Sequence, residues 1–291
     1  MSKKAIKISV SEIEENIKKH GHNFHCKVVS FLSDNGWDVT PNAYYVDNLT
    51  DKPREIDIIA RKIINVLDPF FHGSKIFGEI YFYLLVECKC VGENNGTVFW
   101  FKENNKDEMM GVLNRYISPY IFKNSDNIEL QKHHLFKPCS AATMHAVLNN
   151  NNNDFIQDAI GQVLHSLIYF RNKRNGGIPI MDDGERKNIL EIYYPIIVLN
   201  NFDNFFKKKL FDYTKPAEEL NDRFIMGVNY SFKTDYNKCI KEYIPIDIVN
   251  FNQLPNLLSE IVDVDFVVLQ DRWQCGIREE AERNPNLLNN I

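Results

Sequence analysis

The sequence predicts an α/β fold in which helices flank a mixed β-sheet. Three observations favour this class. An N-terminal helical segment precedes three strand-like segments, an amphipathic helix follows after a long interval, and an apolar strand comes directly after that helix. A three-stranded meander followed by a crossover helix and another strand makes a sheet with both antiparallel and parallel pairs.

The first predicted element is helical and covers residues 10–35. Its apolar residues recur at helical spacing, as Ile13 and Ile17 do. Gly21 is expected to divide the segment into two helices. Gly36 is expected to end it, because glycine commonly occupies the position just after a helix.

Three strands are predicted next, at residues 37–46, 54–64 and 80–91. Pro41 indicates that the first of them lies at an edge of the sheet, since proline cannot donate a ladder hydrogen bond. The polar residues 47–53 form the turn between the first two strands. The third segment is strongly apolar and is expected to be buried.

The remainder of the chain is less regular. Residues 92–153 are interpreted as an insertion, with a possible strand at 97–101, and the core is expected to end near residue 200. Residues 201–291 are expected to form a C-terminal extension packed on that core. The other predicted elements are a crossover helix at 154–170, strands at 191–199, 223–232 and 265–270, and a helix at 253–262.

The charge balance argues against a protein that coats nucleic acid without local patches. The formal net charge is -5 in 291 residues, so any nucleic acid must be bound by local basic patches. Taken alone, each basic run is better explained by a solvated face. The candidate runs are Lys52 with Arg54, Arg61 and Lys62; Arg171 with Lys173 and Arg174; and Lys207-Lys208-Lys209.

The cysteine pattern and the apolar pattern predict a cytoplasmic protein. The six cysteines are scattered and none forms a CxxC pair, which is typical of reduced thiols. The first residues lack the apolar core of a signal peptide, and no window is apolar enough to span a membrane.

Polar residues on the second and third strands carry the candidate chemistry. Side chains alternate between the two faces of a strand, so Glu87 and Lys89 share a face. If the strands are neighbours, Asp57 can join them. Two carboxylates and the backbone carbonyl of Cys88 are hard oxygen ligands suited to Mg²⁺ or Mn²⁺. The alternative is an internal ion pair between these acids and Lys89.

This pattern resembles the PD-(D/E)XK superfamily, whose restriction-endonuclease-like core contains a helix, a three-stranded meander, a crossover helix and a fourth strand. Asp57 matches the first acid of the motif, and Glu87 and Lys89 match its (D/E)xK part. Ile56 stands where the family name has proline. The local sequences GWDV, REIDIIA and LLVECK are similar to those of prokaryotic restriction and genome-defence nucleases. The resemblance covers roughly residues 10–90 and 154–200.

The resemblance implies a Mg²⁺- or Mn²⁺-dependent endonuclease. Asp57 and Glu87 would hold the metal, and Lys89 would position the attacking water. DNA is the expected substrate, with RNA as the nearest variation, and the setting is prokaryotic defence against foreign DNA. The alternatives are a noncatalytic nucleic-acid-binding or assembly subunit, and an effector nuclease activated by a partner. A homo-oligomer or a companion defence protein is possible in either case.

Helical positions supply further candidates for the site. In several subfamilies a glutamine on the crossover helix faces the active site, and Gln162 occupies that helix; the alternative is an amide on the helix surface. The superfamily often has an acid on the first helix. Here either Glu14 or Glu15 is that acid, or the first helix supplies none. His25 stands nearest to the usual place of that acid.

Several other groups have simpler explanations. His20, His22 and His25 could bind zinc, although no matching Cys/His pair follows them. The pair His133-His134 is expected at the surface. The aromatic residues 99–101 could stack on bases, but a buried strand explains them more simply. The chain has neither a GxxxxGK[ST] nor a GxGxxG motif, which gives no indication of a nucleotide-driven motor.

Overall fold

The computed structural model is an α/β structure built on one large mixed sheet that helices flank. This confirms the predicted fold class at that level. The structure describes residues 9–19, 21–47, 50–67, 76–92, 96–103, 129–138, 140–148, 154–173, 180–182, 185–212, 214–233, 239–271 and 273–274.

The helices include two consecutive ones at the N-terminus, in agreement with the predicted break at Gly21. They are α1 (Val10–Lys19), α2 (Gly21–Asp34), α3 (Phe155–Lys173) and α4 (Leu254–Ser259). A π-helix, Glu260–Asp265, continues α4, and residues 266–271 are again α-helical. Gly36 has a φ of 75° just after α2, which is the left-handed conformation that glycine adopts at low cost.

The described strands number eleven. They are β1 (Asp38–Val46), β2 (Pro53–Leu67), β3 (Ile76–Lys89), β4 (Gly96–Glu103), β5 (Ser140–Leu148), β6 (Ile180–Asp182), β7 (Glu185–Leu199), β8 (Phe205–Lys209), β9 (Glu218–Glu219), β10 (Phe224–Lys233) and β11 (Cys239–Asn250).

The main path through the sheet is β1-β2-β3-β7-β11-β10-β5-β4-β8-β9, with β6 paired to β7. Strands β1, β2 and β3 form the predicted antiparallel meander, and β1 is an edge strand. Strand β7 is parallel to β3, and α3, which precedes β7, packs on both strands. The order helix, meander, crossover helix and strand is therefore present.

Apolar side chains are buried on both faces of the central strands. Ile58 and Leu84 on one face and Leu85 on the other are fully buried, and full burial of such a side chain stabilises the fold by roughly 1.5–3 kcal/mol. Helix α3 covers one face with Ala159 and Val163, which are also fully buried. This packing fixes the position of α3 against β2 and β3.

One prediction about the later chain needs correction, and another is confirmed. Residues 265–270 are helical and not a strand: Ile261, Asp265, Val268 and Leu269 are buried at helical spacing. A short apolar run cannot distinguish a buried strand from a buried helix by its periodicity, which is why the prediction failed. Strand β4 confirms the possible strand at 97–101.

The sheet also draws on regions without a predicted strand. Strand β5 lies within the supposed insertion yet pairs with both β4 and β10. Strand β11 lies beside β7 near the middle of the sheet. Strands from both sides of residue 200 thus share one sheet, and the division of the chain into core and extension stays a prediction.

Two expectations from composition concern thiols and membranes. The described cysteines, Cys26, Cys88, Cys90 and Cys239, are free thiols, while Cys139 and Cys275 lie outside the described residues. Within the described part of the chain, no helix combines the length and the apolar character needed to cross a membrane.

Candidate active site

The candidate site lies where β2 and β3 separate, a place that we call the fork. Their ladder ends with the pair Ile58 and Val86, so the residues beyond that pair do not follow the regular register. Paired residues of neighbouring strands point to the same face, and the next residue along each strand points to the other face. Asp57 and Glu87 therefore share the face opposite to Ile58 and Val86.

Side chains replace the missing ladder bonds of Asp57. Its backbone N–H donates to Glu87 Oε1 at 3.3 Å, and its carbonyl lies 2.9 Å from His25 Nε2. Its carboxylate accepts the Cys88 N–H at 2.8 Å. On the side of β1, Asn42 lies opposite Asp57 with a φ of 52°. The backbone of β2 is thus irregular towards both neighbours at Asp57.

Lys89 and Gln162 complete the group. The Lys89 ammonium donates to Glu87 Oε2 at 3.1 Å and to Gln162 Oε1 at 2.8 Å. Gln162 is half-buried on α3, so it is not a fully solvent-facing amide. The four predicted catalytic residues, Asp57, Glu87, Lys89 and Gln162, form one hydrogen-bonded group, which we call the β2–β3 cluster.

The cluster joins a buried acid to a partly exposed base. The Glu87 side chain is fully buried, whereas 23% of the Lys89 side chain is exposed. Burial and the nearby Asp57 carboxylate raise the pKa of Glu87 to about 8, although Lys89 opposes the shift. The single ammonium does not compensate both carboxylates, so the site favours an additional cation.

The oxygen atoms at the fork fit a hard divalent ion. The carboxylates of Asp57 and Glu87 lie on one face, and the Asp57 carboxylate is fixed by the Cys88 amide. In an extended strand the N–H and C=O of one residue point to the same side, so the Cys88 carbonyl faces the same gap. Two carboxylates and one carbonyl are the donors that Mg²⁺ and Mn²⁺ prefer.

The helical acids considered from the sequence lie elsewhere. Glu14 and Glu15 are exposed on α1. The buried side chain of His25 reaches the fork instead, through the carbonyl of Asp57. His22 is exposed and His20 lies outside the described residues, so the proposed zinc-binding group of three histidines is not assembled by the described residues.

The arginines predicted to bind nucleic acid are engaged within the protein. Arg54 Nε donates to Asp47 at 2.6 Å. Arg171 forms two hydrogen bonds of 2.8 Å to Glu242 and lies over the Phe232 ring. The side chain of Lys173 and all of Arg174 lie outside the described residues. Nucleic-acid binding by these four residues stays a prediction.

Three of the other basic candidates also contact neighbouring groups. Arg61 pairs with Asp38 at 2.5 Å, and Lys62 donates to the carbonyl of Asn35 at 3.1 Å. Lys207 pairs with Glu218 at 3.2 Å. Among the aromatic candidates, Phe99 is fully buried, as a core strand requires.

A buried aspartate next to the site was not predicted. The carboxylate of Asp47 accepts from Arg54, from Thr50 and from His165 Nδ1, the last at 2.9 Å. His165 lies three residues after Gln162 on α3, on a neighbouring part of the same helix surface. That spacing was the one signal in the sequence that could have drawn attention to His165.

A second polar cluster contradicts the expectation that His133-His134 lies at the surface. Both side chains are buried, and there they contact acids from distant parts of the chain. His134 lies 3.0 Å from Asp247 and also contacts Asp265, while Tyr194 lies 3.2 Å from Asp265. We call these five residues the histidine cluster. No strand pattern marks residues 129–138, so their burial could not be read from periodicity.

The electrostatics of the two histidines differ. Burial lowers the pKa of His133 to about 4. Burial alone would also lower the pKa of His134, but the carboxylates of Asp265 and Asp247 outweigh it and raise that pKa to about 10. Without a metal, the cluster therefore contains one imidazolium and one neutral imidazole.

Comparisons with known proteins leave the geometry as the basis for assigning function. No protein-family model matches the chain. A search of curated proteins and a search of solved structures found no match either.

Proposed function

We propose that the chain is a metal-dependent endonuclease that hydrolyses phosphodiester bonds of DNA on a restriction-endonuclease-like core of the PD-(D/E)XK type. One observation carries the proposal. Asp57, Glu87 and Lys89, taken from two neighbouring strands, meet Gln162 from the crossover helix where the ladder of β2 and β3 ends.

The energetics of this arrangement favour a catalytic role over an internal ion pair. A buried carboxylate beside a second carboxylate is costly without full compensation. Glu87 is such a group, and Lys89 alone leaves its pKa raised. A plain sheet gains nothing from this cost, whereas a site that must recruit a cation requires uncompensated oxygen donors.

The residues of the β2–β3 cluster would have different roles in the reaction. Asp57, Glu87 and the Cys88 carbonyl would hold the ion, which when bound polarises the phosphate and lowers the pKa of a water. Lys89 donates hydrogen bonds to the attacking water and stabilises negative charge that develops on the phosphate. Gln162 accepts from Lys89 and thereby orients the ammonium towards the fork.

DNA as substrate and defence against foreign DNA as setting are the parts of the proposal that rest on the sequence resemblance alone. The cluster itself recognises a phosphodiester, and RNA contains the same group. A direct comparison of DNA and RNA substrates under identical metal conditions separates the two.

The test is a plasmid-nicking assay with Mg²⁺ or Mn²⁺, with a chelator, and with Lys89→Ala. We expect nicking by the wild type only with the metal, and a loss of at least about 10²-fold in Lys89→Ala. Lys241→Ala is the matched control, since Lys241 is an exposed strand lysine on β11. Nicking that survives the chelator or Lys89→Ala would reject the mechanism.

The same assay separates the two alternatives. A noncatalytic subunit would bind DNA in a gel-shift experiment without cutting it, under every metal condition. An effector that requires a partner would cut only after a candidate partner is added, and Lys89→Ala would abolish that activity as well.

A further inference from the structure

The potential ligand atoms of His133, His134 and Asp265 all lie within 4.8 Å of one another, close enough to share one metal ion. His133 Nε2 lies 3.3 Å from Asp265 Oδ2, Tyr194 OH lies 3.2 Å from the same oxygen, and His133 Nε2 and Tyr194 OH are 3.3 Å apart. His134 Nδ1 also contacts Asp265 Oδ2. A tetrahedral Zn²⁺ with bonds of about 2.0–2.2 Å places its ligands about 3.3–3.6 Å apart.

The contacts around these four atoms match the outer contacts of metal-bound histidines. His134 Nε2 lies 3.0 Å from the Asp247 carboxylate, so Nδ1 is the nitrogen that faces the centre. A carboxylate that accepts the second ring N–H of a histidine orients that ring and makes it a better ligand. Asp265 Oδ1 accepts the backbone N–H of His134 at 2.8 Å, which directs Oδ2 inwards.

The buried negative charge of the histidine cluster exceeds its positive charge, which favours binding of a cation. Asp247 and Asp265 are both buried, and the two imidazole rings are stacked with centroids 4.9 Å apart. Two imidazolium ions at that separation repel each other in a low dielectric, so the rings supply at most one positive charge at modest cost. Lys137, the nearby cation, pairs with Glu260 at 3.1 Å. A divalent ion held by neutral histidines neutralises both aspartates.

We propose that His133 Nε2, His134 Nδ1, Asp265 Oδ2 and Tyr194 OH form a structural Zn²⁺ site, with Asp247 as the carboxylate that orients His134. The cluster side chains are at most about 4% exposed, so the site lacks the open position of a catalytic metal. The proposal is independent of the proposed nuclease activity.

The local backbone supports the site. Asp265 ends the π-helix Glu260–Asp265, and single π-helical turns are rare and occur frequently at functional sites. The ligands come from β7, from the residues around the 3-10 turn His134–Phe136 and from this helix. One ion would therefore link segments that lie far apart in the sequence, as structural zinc commonly does.

Metal binding exchanges protons for the ion. Tyr194 keeps its phenol proton and would bind the ion through an oxygen lone pair. His134 loses the proton at Nδ1 to solvent, and the proton of His133 moves from Nε2 to Nδ1, which gives up a 3.3 Å contact with the Leu135 N–H. Both nitrogens then offer lone pairs to the ion. Zinc binding is accordingly expected to strengthen as the pH rises.

The experiment measures the metal content of the purified full chain expressed with added Zn²⁺. We expect about one zinc per chain in the wild type and a loss of at least tenfold in His133→Gln, which keeps a polar side chain. Asp247→Asn is expected to weaken zinc binding by about 10–100-fold. Glu87→Gln is the matched control and is expected to retain the zinc, because Glu87 belongs to the β2–β3 cluster.

A second measurement does not depend on any variant folding. Wild-type protein stripped by a chelator and reloaded with Co²⁺ should show the visible absorption bands of tetrahedral cobalt, and the chelator should lower its unfolding temperature. Folded wild type without zinc and without these bands would overturn the proposal. So would zinc that is lost from Glu87→Gln but kept by His133→Gln.

Discussion

The β2–β3 cluster and the histidine cluster lie on opposite faces of the same sheet and differ in access to solvent. Tyr194 and Asp247 face away from Glu87, as follows from their register positions on β7 and β11. Lys89 keeps 23% of its side chain exposed, whereas His134 keeps 1%. The β2–β3 cluster is therefore partly accessible to solvent through Lys89, whereas the histidine cluster is closed to it.

The largest expected effect concerns the open cluster. Glu87→Gln removes one charge and one proposed metal ligand while preserving the shape of the side chain. We expect DNA cleavage to fall by at least about 10³-fold, because the developing charge on the phosphate loses its stabilisation. The measurement is the single-turnover cleavage rate at saturating Mg²⁺.

Glu219→Gln is the control for this loss, since Glu219 is exposed on β9. Its rate is expected to equal that of the wild type. An equal loss in both variants would show that the acid-to-amide change acts nonspecifically and would contradict the role given to Glu87.

The next effect concerns the closed cluster. In metal-free protein, Asp265→Asn leaves the buried imidazolium of His134 without its closest carboxylate, and loss of one partner from a buried pair typically costs about 3–5 kcal/mol. We expect the free energy of unfolding, measured by urea denaturation, to fall by that amount. Asp263→Asn, two residues earlier and exposed, should change it by about 0.5 kcal/mol or less.

A smaller effect follows from the pH dependence of stability in metal-free buffer. Because the folded-state pKa of Glu87 is raised to about 8, the folded chain binds more protons than the unfolded chain between pH 4.5 and about 8. The stabilising contribution of Glu87 to the free energy of unfolding is therefore fully present below pH 4.5, and it is lost as the pH rises through about 8.

Thermal unfolding of Glu87→Gln at a series of pH values tests the predicted direction of this pH dependence. The variant should unfold several degrees above the wild type at pH 9 and show little difference at pH 4, since 1 kcal/mol corresponds to roughly 2–4 °C in domains of 150–250 residues. A difference that grows towards low pH would have the opposite sign and would contradict the assignment.

The smallest expected effect concerns the contact between Gln162 and Lys89. Gln162→Ala removes the acceptor that orients the ammonium, and we expect cleavage to slow by about tenfold, as for other residues that position a catalytic group. Gln157→Ala on the same helix is the matched control because Gln157 is exposed. Equal cleavage rates for Gln162→Ala and the wild type would show that Gln162 has no role in the reaction.

The sequence was most informative where periodicity and chemistry agreed. The alternation around Glu87 and Lys89 put both side chains on one face, and the structure brings them to Asp57 and Gln162. The spacing around α3 likewise located that helix within a few residues of its bounds. Local pattern was sufficient there because α3 buries one regular face, and because strand alternation alone decides which side chains of β3 share a face.

The remainder depends on contacts between distant residues, which leave little local signal. Burial of His133-His134 results from acids more than a hundred positions away, Asp247 and Asp265. Strand β5 contains the segment SAATMHAVL, whose weak alternation does not reveal its pairing with β4 and β10. Tertiary context decided both outcomes.

The π-helix Glu260–Asp265 imposes a length constraint on the C-terminal segment. An α-helix turns by about 100° per residue, so removing one residue there would rotate everything that follows by that angle. Asp265 could then remain directed at His134, or Val268 and Leu269 could remain packed in the interior, but not both. Substitutions in this segment are therefore expected to be tolerated far better than single-residue deletions.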